Sequence, residues 1–215
     1  MTALNGARNP FDERAAAWDQ NPSRRALTAA IADTLQALVP FQPGMRLLEY
    51  GCGTAALSLR LAGRVGGIVA ADASAGMLEQ ARKNIVAAGN GNIRLLRLDL
   101  TRDPPPGERY DGIVSAMTLH HIEDAPALLR RLADLLAPGG FLAIADLCLE
   151  DGSFHADGVV PHYGFDPAGL AAVLTEMGLA NPRWRIAHRL NRNGRDYPVF
   201  LLCAEHARRL TDPSC

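Results

Sequence analysis

The chain predicts a parallel α/β sheet with helices on both faces, and three observations carry that prediction. Apolar runs at 46–50, 67–71, 93–98, 111–115 and 140–147 alternate with helical-period stretches near 54–63, 74–88 and 124–136. A glycine-rich turn, Gly51-Cys52-Gly53, links the first run to the first of these helices. Asp72 closes the second run at the distance in sequence where a carboxylate meets a ribose diol, about 20 residues past the turn.

Each element has its own signals. Asn21-Pro22-Ser23 starts a helix on which Leu27, Ile31, Leu35 and Leu38 recur until Pro40. After the turn, Thr54 is placed to start the next helix. Asp103 to Gly107, rich in proline, forms a stiff loop before the fourth strand, and Pro138-Gly139-Gly140 is expected to end a helix at Ala137 and turn into the fifth. A helix near 167–178 stops at Gly178. Strands near 183–190 and 197–204 then flank Asn191-Arg192-Asn193-Gly194 and finish the sheet with a hairpin. With no repeat, long linker or compositional break, the chain reads as one unit, residues 1–40 forming a helical cap on residues 41–215.

Composition narrows the class. A chain of 215 residues with 48% hydrophobic content can bury a substantial core. Its 22 basic and 23 acidic side chains give a net charge of −1, with no general attraction to nucleic acid or anionic membrane. Cys52, Cys148, Cys203 and Cys215 form no CxxC pair, and the first 18 residues contain no apolar core for a signal peptide. A reducing cytoplasm, without secretion or membrane insertion, is the expected setting.

Gly51, Gly53 and Ala56 fit GxGxxA, so an NAD(P)-dependent oxidoreductase is one reading of the turn. A helix precedes the first strand, however, and Glu49 stands two residues before the first glycine. A carboxylate there repels a pyrophosphate but suits an ammonium group, which points to an amino-acid-bearing nucleoside.

With these residues the chain, over roughly 9–205, resembles the class I S-adenosylmethionine-dependent methyltransferases. Glu49, Gly51 and Gly53 stand in the family's ExGxG, with Ala55 where a third glycine is usual. The stretch YDGIVSAMTLHHIEDAPALLRRLADLLAPGGFLAIAD is similar to the family's fourth strand through fifth strand. The resemblance implies a Rossmann-like doubly wound sheet of seven strands in the order 3-2-1-4-5-7-6, strand 7 antiparallel. It implies that S-adenosylmethionine is the cofactor and S-adenosylhomocysteine the product. In that frame Glu49 meets the cofactor amine and Asp72 the ribose, Ala73 and Met77 lie against the adenine, and Asp99 and the Leu100 amide read its edge. Ser115, Ala116 and Met117 border the methionine moiety.

Methyl transfer from a sulfonium needs positioning and exclusion of water more than reactive side chains. A hydroxyl acceptor gains from losing its proton, a task suited to histidine. His155 and His162, in SFHADGVVPHYGFD between the fifth strand and the next helix, are the candidate catalytic bases. His120 and His121 of the LHHI element, with Trp18 and Tyr163, are candidates for the acceptor pocket. A metal site built from His155, His162 and Asp146 or Asp157 matches no strong ligand pattern, and no metal is expected.

The segment FDERAAAWDQNP resembles the opening of small-molecule members of the family, where it folds over the cofactor, with Phe11 and Trp18 as its docking residues. Arg183, Trp184, Arg185, Arg189, Arg192 and Arg195 offer a conceivable nucleic-acid surface. The Asp/Asn-Pro-Pro-aromatic element of base methyltransferases is replaced here by Ser115-Ala116-Met117-Thr118. A small organic acceptor is therefore expected, with oxygen favoured over nitrogen or carbon. A protein that binds the cofactor without turnover is the remaining alternative.

Overall fold

A computed structural model of the protein describes residues 9–155 and 160–206. The seven strands are β1 (Arg46–Tyr50), β2 (Gly67–Asp72), β3 (Ile93–Arg97), β4 (Tyr110–Ala116), β5 (Leu136–Leu147), β6 (Leu179–Arg192) and β7 (Arg195–His206). They form one sheet in the order β3-β2-β1-β4-β5-β7-β6, in which β7 runs antiparallel to both its neighbours and the first five strands are parallel. The order reverses between β1 and β4, where open α/β sheets bind ligands.

Alternate residues of the strands feed separate cores on the two faces. Leu47, Val114, Ala143 and Leu201 pack under α1 (Pro22–Leu38) and α2 (Ala56–Leu61), and Ala70 under α3 (Ala75–Ala87). Leu48, Ile113, Leu142 and Leu202 pack under α4 (Ala125–Asp134) and α5 (Pro167–Glu176). Among the described residues, four helices carry a side-chain N-cap: Asn21 on α1, Ser74 on α3, Asp124 on α4 and Asp166 on α5.

Three departures from the sequence reading concern where elements begin and end. α4 ends at Asp134, and β5 begins at Leu136, ahead of Pro138-Gly139-Gly140. Leu136 already pairs with Tyr110, and the Arg109 guanidinium ties down the Asp134 and Leu136 carbonyls, so Pro138-Gly139-Gly140 forms an irregularity within a long strand. The second departure is Thr54, which does not cap α2: its hydroxyl donates to Asp19, and α2 follows Ala55, held in left-handed backbone at φ 62°. The late hairpin is longer than expected, closing on Asn193 and Gly194, both at positive φ.

Candidate functional site

The glycine turn is built from the backbone outward. The Gly51 and Cys52 amides both donate to the Ala71 carbonyl, at 2.8 and 2.9 Å, which folds the end of β1 against the end of β2. Gly51 takes φ 74°, and a β-carbon there would fall 2.2 Å from Thr118 Oγ1. The turn after β4 is thus seated directly on the cradle, at a contact only glycine permits.

Two carboxylates, Glu49 and Asp72, stand beside the turn. Glu49 is buried on β1 and accepts from the Ser58 hydroxyl of α2; burial pushes its pKa up to about 7, with Asp72 adding to the rise. Asp72 accepts the Gly53 amide on one oxygen and the Ser74 amide on the other, both at 2.8 Å. Burial raises its pKa against the pull of these amides. A carboxylate offers about four lone-pair sites, more than these amides fill. Met77, at the start of α3, is buried beside Gly53, and Ala73 is half-buried between Asp72 and Ser74.

At the end of β3, Asp99 accepts from the Thr101 amide and hydroxyl on one oxygen, with Arg102 3.7 Å from the other. The Leu100 amide, expected to be open to a ligand, is taken: it donates to the Tyr50 hydroxyl at 3.1 Å. Ser115 is buried on β4, and its hydroxyl has no partner among the described residues.

Beyond β4 the chain turns through Met117 at φ 53° into a 3-10 turn, Leu119–His121. His120 is buried, its Nδ1 2.6 Å from Asp146 Oδ1 on β5. His121 and His155 stand beside it, ring centroids 4.1 and 5.0 Å away, and Phe11 meets His121 edge-on at 5.1 Å. Burial, followed by repulsion from its two histidine neighbours, lowers the pKa of His121 to about 3; burial, then repulsion from His120 and Arg192, lowers that of His155. His155 Nε2 is buried without a partner among the described residues.

The four candidate pocket residues divide. His120 and His121 fall in the cluster, and Trp18 reaches it through Phe11, 5.8 Å away. Tyr163 is 43% exposed, its ring against Gly152, and makes no ring contact with the cluster among the described residues. Of the two candidate bases, only His155 is in the cluster. His162 is held in its loop instead: its Nε2 faces the Ile122 and Glu123 carbonyls at 3.0 and 3.2 Å and so serves as a donor. Asp157 lies outside the described residues. Among the described residues no group of three or more histidines, cysteines and carboxylates is placed to hold a metal ion, and no helix is long and apolar enough to cross a membrane.

The structure adds residues that sequence reasoning passed over. Asp12 accepts from the Ser74 hydroxyl at 2.6 Å and the Gly76 amide at 2.9 Å, and Asp19 accepts from Thr54 and Asn84. These bonds lay the N-terminal segment across the cofactor edge; a β-carbon on Gly76 would sit 2.7 Å from the Asp12 backbone. Their partners lie 35 to 65 positions away, and no local pattern flags them. The arginines of the last hairpin are largely engaged: Arg183 with Glu205, Arg192 over the Phe154 ring, Arg195 with Asp151.

Residues 47–140 match the family model described as a methyltransferase domain. An uncharacterised methyltransferase of Mycobacterium tuberculosis is 36% identical over 124 residues, 56% of this chain and 61% of the relative. The aklanonic acid methyltransferase of Streptomyces sp. strain C5 is 32% identical over 114 residues, 52% of each chain. The chain thus spans only 61% and 52% of the length of these relatives. The solved DhpI–SAH complex has the same fold, with a TM-score of 0.70 at 23% identity over 92% of this chain and 94% of that one. Over residues 47–140 the chain is thus similar to methyltransferase domains, and its sheet has the fold of the DhpI–SAH complex.

Proposed function

We propose that the protein transfers a methyl group from S-adenosylmethionine to a small organic acceptor, with oxygen favoured over nitrogen or carbon as the receiving atom. The observation that carries this reading is the glycine turn at the point where the strand order reverses, with Glu49 buried beside it and Asp72 accepting its Gly53 amide. The cofactor supplies a methyl carbon activated by its sulfonium leaving group. Glu49, ionised, holds the ammonium of the methionine moiety, Asp72 the ribose diol, and Asp99 the adenine edge, while Ala73 and Met77 flank the ring. Residues 1–40 act as a cap on residues 41–215, and the segment carrying Phe11 and Trp18 closes over the bound cofactor and excludes water. The Streptomyces relative, an aklanonic acid methyltransferase, supports a small-molecule acceptor.

Calorimetric titration with S-adenosylhomocysteine tests the reading. Wild type is expected to bind with a Kd of about 1 μM, on the order of −8 kcal/mol, and Asp72→Ala at least about tenfold more weakly. Binding of NAD in its place would establish the oxidoreductase reading. Bound S-adenosylhomocysteine should also protect the N-terminal segment from limited proteolysis; equal cleavage would remove its closing role.

A further inference from the structure

The geometry points to an anion-binding site at the mouth of the acceptor pocket, where Arg24 and Arg192 hold the acid group of a small, flat methyl acceptor. The inference rests on the methyl-transfer reading above and deepens it by naming the acceptor's class. Arg24, in the first turn of α1, lays its guanidinium 3.8 Å from the centroid of the Trp18 ring and donates to the Trp18 carbonyl at 3.3 Å. Arg192, the last residue of β6, repeats the arrangement: its guanidinium stands 4.1 Å from the Phe154 centroid and donates to the Phe154 carbonyl. Each guanidinium is fixed by a ring face and one backbone carbonyl, which leaves most of its planar fork of N–H donors open. Neither makes an ion pair among the described residues.

The two guanidiniums end one continuous chain of rings. Trp18 meets Phe11 at 5.8 Å, Phe11 meets His121 at 5.1 Å, His121 meets His155 at 5.6 Å, and His155 meets Phe154 at 4.9 Å. The middle of that chain, His121, belongs to the turn that is seated on Gly51 of the cofactor cradle through Thr118. Its ends come back toward each other. The Arg183 guanidinium donates to the Leu38 carbonyl at 3.2 Å, tying the C-terminal end of α1 to the early part of β6. From there Arg24 lies about 21 Å back along the helix and Arg192 about 30 Å up the strand. Leu27 and Leu190, close to each arginine in sequence, share one core cluster, so helix and strand run alongside each other over that length. Burial first, then repulsion from Arg192 and Arg14, lowers the pKa of Arg24; attraction from Asp19 is the smaller, opposing effect. The Asp19 carboxylate is itself taken up by Thr54 and Asn84.

The collar of rings thus closes on two like charges held on rigid supports, with no carboxylate pairing either. The other acids nearby are engaged elsewhere: Glu150 accepts the Phe154 amide at 3.1 Å, and Asp151 pairs with Arg195. An anion placed between the two forks relieves their repulsion and accepts charge-assisted hydrogen bonds from both. Carboxylate and phosphonate share that chemistry. The flat rings of the collar suit a flat body, and the buried Nε2 of His155, unpartnered among the described residues, offers it a polar contact. Held by its acid group at the mouth, the acceptor directs its far end past His121 toward the cradle, so the acid is the handle and the receiving atom lies at the other end.

The test is calorimetry on protein saturated with S-adenosylhomocysteine, at low ionic strength and without chloride. The probes share one ring and differ in one group: 4-hydroxybenzoate, 4-hydroxyphenylphosphonate, the neutral 4-hydroxybenzamide and the cationic 4-hydroxybenzylamine. Wild type should bind the carboxylate or the phosphonate at least about tenfold more tightly than the amide, and should not bind the amine. The tighter of the two acids identifies the handle as carbon- or phosphorus-based. Arg24→Gln and Arg192→Gln should each lose about tenfold or more on that acid and less than about threefold on the amide, with S-adenosylhomocysteine affinity held. Arg185→Gln, at an exposed arginine of β6 outside the collar, should leave the preference as it is. Equal affinity of wild type for acid and amide, no binding of either acid, or a preference that survives both substitutions would overturn the assignment. So would equal losses on acid and amide in the variants, which would make the arginines supports of the collar only. Wild type that fails to bind S-adenosylhomocysteine would sink the methyl-transfer reading and this one with it.

Discussion

The hydroxyl of Tyr50, the last residue of β1, accepts the Leu100 amide proton at 3.1 Å across 50 positions of sequence. That amide is the one the family resemblance assigns to the adenine edge. Tyr50 is buried, and burial pushes its pKa up to about 12, so it stays protonated and keeps a hydrogen of its own to donate.

Tyr50→Phe should therefore weaken the free protein and favour the occupied one. Leaving a buried amide unpaired costs about 1–3 kcal/mol, so the Tm of the free protein should fall by several degrees. The rise in Tm on adding S-adenosylhomocysteine should exceed that of wild type, because the amide is now open to the adenine. An equal rise would mean that Leu100 does not read the base.

Cofactor affinity should depend on pH through Glu49. Its pKa near 7 means that the protonated form competes with ammonium binding on the acid side. Calorimetry with S-adenosylhomocysteine should show affinity falling by up to about tenfold for each pH unit below that point. In Glu49→Gln the affinity should be lower and the acid limb absent; a limb that persists would assign the titration to another group.

Stability of the free protein should carry two opposed pH dependences. Glu49, with its pKa raised from 4.5, contributes stability below that value which is lost as pH rises toward 7. His121, lowered from 6.5 to about 3, contributes stability above 6.5 which is lost as pH falls toward 3. Thermal melts between these limits should show that Glu49→Gln raises Tm near neutrality and His121→Gln raises it, relative to wild type, in acid. Parallel curves for wild type and either variant would refute the corresponding burial argument.

The turn holds one non-glycine residue in left-handed backbone where the family usually has glycine. Ala55, at φ 62° and fully buried, bears about 1 kcal/mol of that strain. Ala55→Gly should raise Tm by one to a few degrees, after about 0.5 kcal/mol is returned to the unfolded chain's added freedom. Gly51→Ala should do the opposite severely, since its β-carbon would strike Thr118. A Gly51→Ala protein with wild-type Tm would show that the turn after β4 is not seated on the cradle.

Much of this molecule is encoded locally. Apolar runs and helical spacing determine the alternation of strands and helices, because burying one face of each element is a short-range pattern. The glycines of the turn and the carboxylates at 49, 72 and 99 were legible for the same reason: each sits at a strand end that the pattern itself marks. Only the tertiary structure decided which side chains meet across the strand ends. It paired His120 with Asp146, closed the Leu100 amide with Tyr50, committed His162 to backbone carbonyls and laid Asp12 and Asp19 over the cofactor edge. Those contacts join residues tens of positions apart, brought together by parallel crossovers and by the packing of a segment onto a finished sheet, and no local periodicity carries that information.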